Sequence, residues 1–251
     1  MNKRSKIIAI VIGVLVVIIP LAVIFGSQAF LERGKSIIEE NPERARINLR
    51  IASVLNPTRG ESYAFLAKSY HIDIDIRELV DLGESEEVVE NYKKALNRDY
   101  NEDWIYVNLG HIHNRLEEYE KAYDYFSKAI NIEESAEAYY GLANYYMGIE
   151  DFGKALSSLH RSIEIKPTPE AYIAKTSPLI ILTGNLGVAI RANLDALDLD
   201  SQNSKAIFNL SQFYAYRNNN ELAIQYLEKL KNLNSEKYDK KINRLESLIY
   251  E

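Results

Sequence analysis

The stretch AEAYYGLANYYMGIEDFGKALSSLHRSIEIKP, residues 136–167, decides the fold. Two helical patterns follow one another in it. Tyr139, Leu142, Ala143 and Tyr146 recur at spacings of three and four, so they share one face of a first helix. Ala155, Leu159 and Ser162 do the same on a second helix, and Pro167 stands where that helix should stop.

The same pattern recurs on both sides. A small-residue column reads Ala45, Val88, Ala122, Ala155, Ala189 and Ala223. Seven residues later comes a second column: Ala52, Ala95, Ala129, Ser162, Ala196 and Leu230. Seven residues is two helical turns, so both columns lie on one face. A bulkier column lies between them: Leu49, Tyr92, Phe126, Leu159, Asn193 and Leu227. In the preceding helix, Gly110, Ala143, Ser177 and Ser211 lie twelve residues before the first column, and His113, Tyr146, Ile180 and Tyr214 follow three positions on. Small residues let facing backbones approach, and bulky ones fill the grooves.

These columns resemble the tetratricopeptide repeat, whose period is about 34 residues. The resemblance implies an all-α, right-handed α-solenoid of about six helix–turn–helix units. The units are 26–59, 60–102, 103–135, 136–169, 170–203 and 204–237. Residues 238–251 form a capping helix, with Ile242, Leu245 and Ile249 on one face. Three departures stand out. The first unit has Glu32 and Arg33 where an apolar and a small residue belong, which predicts atypical packing of its first helix. The second carries a surplus between Tyr70 and Val88. The fifth has Pro178 inside its first helix, which should kink or break it.

Ahead of the array, residues 7–25 form an uncharged apolar run, IIAIVIGVLVVIIPLAVIF. At 1.5 Å per residue it spans roughly 28 Å, about one hydrocarbon core. Lys3, Arg4 and Lys6 precede it within residues 1–6. The positive-inside rule puts that N-terminus in the cytoplasm and the array, 26–237, outside it, on a single-pass anchor in the cell membrane. Two alternatives stay open: a signal peptide cleaved after Ala29, and an organelle receptor whose repeats face the cytosol.

Net charge is −6, and removing the three N-terminal cations leaves about −9 on the remainder. An acidic array argues against nucleic acid, whose binding needs a basic stripe. With no cysteine, thiol catalysis and zinc–thiolate sites are excluded. The four histidines, His71, His111, His113 and His160, show no metal-binding spacing. No phosphate loop or nucleophile elbow appears. The expectation is a protein that is not an enzyme, has no catalytic or metal site, no cofactor and no small-molecule substrate, and binds a protein or peptide.

Two surfaces are candidates. The resemblance places the fifth and ninth positions of each unit on an inner groove. They are Lys68 in the second unit, Val107 and His111 in the third, Tyr140 and Asn144 in the fourth, and Phe208 and Gln212 in the sixth. Trp104 and Lys205 stand at its rim. The second candidate is the acidic insertion, with Asp73, Asp75, Glu78, Asp81, Glu84, Glu86 and Glu87 available to dock a basic partner. The expected function is a membrane-anchored scaffold or adaptor in envelope assembly, secretion or chaperoning. The alternatives are a cytosol-facing targeting receptor and a structural subunit of a membrane-associated machine. Nothing in the sequence indicates a homo-oligomer.

Overall fold

The computed structural model describes residues 21, 23–71, 83–233 and 238–250. They are all helix and turn, with no strand among them. The chain forms two compact bodies, one ending at Glu118 and the other beginning at Tyr119, so the division falls inside the third repeat.

The first body holds α1 (23–37), α2 (Pro42–Leu55), α3 (Gly60–Lys68), α4 (Ser85–Leu96) and α5 (Asp103–Arg115). The second holds α6 (Tyr119–Ile132), α7 (Ala136–Gly148), α8 (Phe152–Ile165), α9 (Pro169–Ala174), α10 (Thr176–Thr183) and α11 (Leu186–Leu199). It continues with α12 (Ser204–Tyr216), α13 (Asn220–Asn232) and α14 (Asp239–Tyr250).

The three second-helix columns form the core. Every residue of the first and bulky columns, from Ala45 to Ala223 and from Leu49 to Leu227, is 0 % exposed. This holds for Asn193 too, although it is polar. Within a body, a first helix packs against its own second helix and the next unit's first helix against that one, as α7, α8 and α9 do.

A recurring turn precedes five of the second helices. Five residues before the first column the backbone is left-handed: Gly83, Glu117, Glu150, Gly184 and Asn218 have φ between 54° and 73°. Such a residue turns the chain back and frees the next N–H to reach the preceding helix. Asp151 N donates to Tyr146 O at 2.8 Å, and Asn219 N to Tyr214 O at 2.9 Å. The following side chain then caps the second helix. Asp151, Asn185 and Asn219 accept from Lys154, Gly187 and Leu222 N–H groups.

The first unit lacks that left-handed residue, and this corrects its expected register. Glu32 and Arg33 point to solvent, while Leu31 and Gly34, one residue away, are buried. The turn is tighter by one residue, with Asn41 N donating to Ile37 O. Gly34 is the small residue of this pair: a Cβ there would lie 2.6 Å from Leu49 Cγ. The packing is therefore ordinary, with a spacing of eleven rather than twelve.

The fifth unit breaks as its proline requires. Pro178 offers no N–H to Ala174 O, and the helix divides at Lys175 into α9 and α10. The break turns Ser177 outward and buries Thr176 instead, a second correction to the small-residue column. Thr176 Oγ1 accepts from Asn193 Nδ2 at 2.9 Å. The capping helix sits as its pattern demands, with Tyr238, Leu245 and Ile249 buried against Leu227 and Leu230.

The apolar run 7–25 lies outside the described residues apart from Leu21 and Val23–Phe25. Among the described residues no helix is long and apolar enough to cross a membrane. The insertion residues Asp73, Asp75, Glu78 and Asp81 also lie outside the described residues.

Candidate functional site

In the first body, α3 and α5 bring Lys68 and Trp104 together. Lys68 Nζ lies 5.5 Å from the indole centroid and 5.9 Å from that of Phe65. Phe65 and Trp104 are 5.6 Å apart, and Trp104 meets Tyr92 edge-on at 6.0 Å. A second cation, Lys35, stands 5.0 Å from the Phe65 ring centroid. Glu61 holds it at 2.6 Å and raises its pKa. Cations over desolvated rings are each worth about 0.5–2 kcal/mol, so this cluster is a defined surface. Trp104 is part of it, not only a rim residue.

The remaining candidates of this body differ. Val107 is 7 % exposed and offers little surface. His111 is half-buried, and desolvation with the His71 charge lowers its pKa to about 4, so it is neutral at pH 7. His71 Nε2 lies 2.6 Å from Tyr92 Oη. That hydroxyl also accepts from Asn108 Nδ2 at 3.2 Å. Burial pushes the Tyr92 pKa well up, and the phenol stays protonated.

In the second body the other candidates line two clefts. Tyr140 and Lys205 border one of about 200 Å³, with Glu170, Asn203 and Tyr238. Phe208 and Gln212 border a second of about 640 Å³, shared with Tyr216, Lys241, Leu245 and Leu248. Asn144 is half-buried and lines neither. Tyr238 links the two, lying 5.7 Å from the Phe208 ring. Tyr238 and Lys241 belong to the capping helix and were not legible as site residues, because the repeat pattern ends before it.

Of the insertion residues that are described, Glu84 precedes α4 and Glu86 is exposed. Glu87 is already engaged, accepting from Arg50 at 3.0 Å and Tyr70 at 2.7 Å. It ties α4 to α2 and to the turn after α3. His113 is 5 % exposed in its packing column and pairs through Nδ1 with Glu118. Among the described residues no three His, Cys, Asp or Glu side chains converge on a metal position.

A further contact repeats along the chain. The sixth residue of one unit faces the bulky column of the unit before. Asn108 meets Tyr92, Gly141 meets Phe126, and Asn209 Nδ2 donates to Asn193 Oδ1 at 2.9 Å. The partners are matched in size and polarity: glycine opposite phenylalanine, asparagine opposite asparagine. The polar residues in the bulky column were the available signal for this pairing.

Helix pairs stacked within each body, with aromatic, amide and cationic side chains on their accessible surfaces, define a repeat-built α-solenoid. A family model, the tetratricopeptide repeat, matches residues 105–135, 136–169 and 204–237, less than half of the chain. Among solved structures, the chain is similar to PilF of Pseudomonas aeruginosa, with 19 % identity, a TM-score of 0.66, and 83 % of this chain and 91 % of that one covered. It is similar to PilW, described as a widely conserved type IV pilus biogenesis factor, at 17 % identity and a TM-score of 0.67. That match covers 83 % of this chain and 98 % of the other. YrrB, described as a TPR protein with an unusual peptide-binding site, matches at 24 % identity and a TM-score of 0.50, covering 74 % of this chain and 91 % of that one. No curated protein matches the sequence.

Proposed function

We propose that this protein is a membrane-anchored adaptor that binds a segment of another protein in envelope assembly, secretion or chaperoning. The observation that carries the reading is the cleft on α12, where the groove positions Phe208 and Gln212 face Lys241 and Leu245 of the capping helix. Apolar floor, amide and cation in one concavity suit a peptide better than a small polar molecule. The cluster of Lys68, Trp104 and Phe65 offers the same chemistry in the first body.

The anchor rests on the apolar run of residues 7–25 and its basic flank. Its role would be to confine the scaffold to two dimensions and raise its effective concentration near membrane partners. The likeness in fold to PilF and PilW supports an envelope setting. The described acids Glu84 and Glu86 leave the insertion as a second docking surface for a basic partner.

A photoreactive residue at Tyr140 in the full-length chain, in its native membrane, tests the reading. A specific crosslinked protein, lost on competition with excess unlabelled chain, supports it. Crosslinks confined to lipid or to abundant bystanders count against it. A reporter fused to the C-terminus tests the topology, and cytosolic activity of that reporter would overturn the extracytoplasmic placement.

A further inference from the structure

We infer that the cleft between α12 and α14 binds an acidic, leucine-bearing peptide segment, with Lys241 as the anchor for its carboxylate. This rests on the adaptor reading above and names the chemistry of the segment bound there.

Three features of the cleft converge on that ligand. The first is apolar surface left open. Leu248 is 40 % and Tyr216 51 % exposed at its mouth, above a floor of Phe208 and Leu245. A volume of about 640 Å³ accommodates more than one side chain. Closing this surface with an aliphatic side chain removes apolar area from water on both partners.

The second feature is charge. Lys241 Nζ stands 5.2 Å from the Phe208 ring centroid and 5.3 Å from that of Tyr238. Among the described side chains no carboxylate pairs with it. The contrast with Lys231 on the adjoining α13 is direct. That lysine is held by Glu228 at 2.9 Å and by Glu246 at 3.0 Å. Glu228 and Glu246 are thus engaged with Lys231, while the Lys241 ammonium borders the cleft. The rings beneath it hold the ammonium at the cleft edge without neutralising it.

The third is the amide of Gln212, whose Nε2 reaches Tyr216 Oη at a long 3.3 Å. Such a group exchanges readily for the backbone of an extended peptide. A residue with an aliphatic side chain in the apolar floor, next to one whose carboxylate reaches Lys241, satisfies all three features together. The chain as a whole carries −6, so recognition is local, through Lys241, and not by long-range steering.

The test uses the full-length chain in detergent and a short fluorescein-labelled peptide of alternating glutamate and leucine. Control peptides replace glutamate with lysine or leucine with serine. Fluorescence anisotropy should show saturable binding of the first peptide, at least about tenfold weaker binding of the lysine control, the factor expected for losing one charge-assisted contact, and weaker binding of the serine control through lost apolar burial. Lys241→Glu should weaken binding by about tenfold or more, and Lys241→Arg should retain it. Leu248→Ser should weaken it several-fold. Circular dichroism should be unchanged in all three variants, since both side chains reach solvent. Absence of saturable binding, equal binding by Lys241→Glu, or equal binding of the lysine peptide would overturn the inference. If Tyr140 still captures a specific protein while the peptide fails, the cleft assignment falls and the adaptor reading stands. If the peptide binds as described but no specific protein is captured, the adaptor reading falls and the cleft chemistry stands.

Discussion

A single methyl group at Gly141 should destabilise this protein, although helix propensity alone says the opposite. Gly141 lies inside α7, where alanine is favoured over glycine by about 1 kcal/mol. The Cβ of Gly141→Ala, however, would lie 2.2, 2.7 and 2.7 Å from three ring carbons of Phe126. Carbon atoms pack at about 3.5–4.0 Å. Phe126 is 0 % exposed, so its ring has no solvent to swing into, and the two helices must move apart. Overpacking of this kind costs about 1–3 kcal/mol. The overlap is large, so the upper end applies, and a net loss of about 2 kcal/mol is expected after the propensity gain is subtracted. For a chain of this size that lowers the thermal midpoint by roughly 4–8 °C. Circular-dichroism melts of the full-length chain measure it. Gly153→Ala is the control. Its Cβ meets only Asp151 Oδ1 at 3.8 Å, so it should gain up to about 1 kcal/mol. Adding Phe126→Leu to Gly141→Ala should recover at least about 1 kcal/mol relative to the sum of the single changes. The reasoning fails if Gly141→Ala raises the midpoint as Gly153→Ala does, or if the two changes are additive.

Three further outcomes are expected. Asn193→Ala should cost about 2–3 kcal/mol by urea unfolding, since it removes bonds to Thr176, Ala189 and Asn209 and leaves a cavity; a loss under about 0.5 kcal/mol would refute that account. Glu150→Gly should raise stability by roughly 0.5–1 kcal/mol, because φ is 60° there and a Cβ is penalised in that region, and no gain in the melt would show the turn to be unstrained. Lowering the pH from 6.5 towards 4 should weaken the fold. The folded pKa of His111, about 4, lies below its ordinary 6.5, so the unfolded chain binds more protons across that window and stability is complete only above it. The loss is at most about 3 kcal/mol, less where water reaches the ring, and His111→Gln should flatten the pH dependence of the urea midpoint.

Much of the fold was legible because burial in a helix pair follows a strict spacing. Ala155, Leu159 and Ser162 announce a buried stripe, and Leu227 and Ala223 repeat it. The register failed in the first unit for a local reason. Its turn omits the left-handed residue found at Glu117 and Glu150, and Gly34 replaces Arg33 as the close-packed position. Nothing in the identity of Glu40 signals that omission, since glutamate occupies the left-handed position in two other units. Pro178 was legible as a break, but not the consequence that Thr176 turns inward to meet Asn193. Of the groove positions, Lys68, Tyr140, Phe208 and Gln212 lie on accessible clusters or clefts, while Val107 is buried. Tyr238 and Lys241 were invisible as site residues because they lie beyond the last repeat.

The sequence by itself determined what each helix buries. Periodicity, small-residue columns and capping side chains act within a helix or between neighbours in the chain, so one unit read alone already specifies its pair. Tertiary structure decided what faces what across a junction. Gly141 is small because Phe126 is large, Asn209 is polar because Asn193 is, and Lys241 borders a cleft because α14 returns onto α12. Those contacts join residues that no periodic rule connects, and the cleft between α12 and α14 in the second body is made by the last of them.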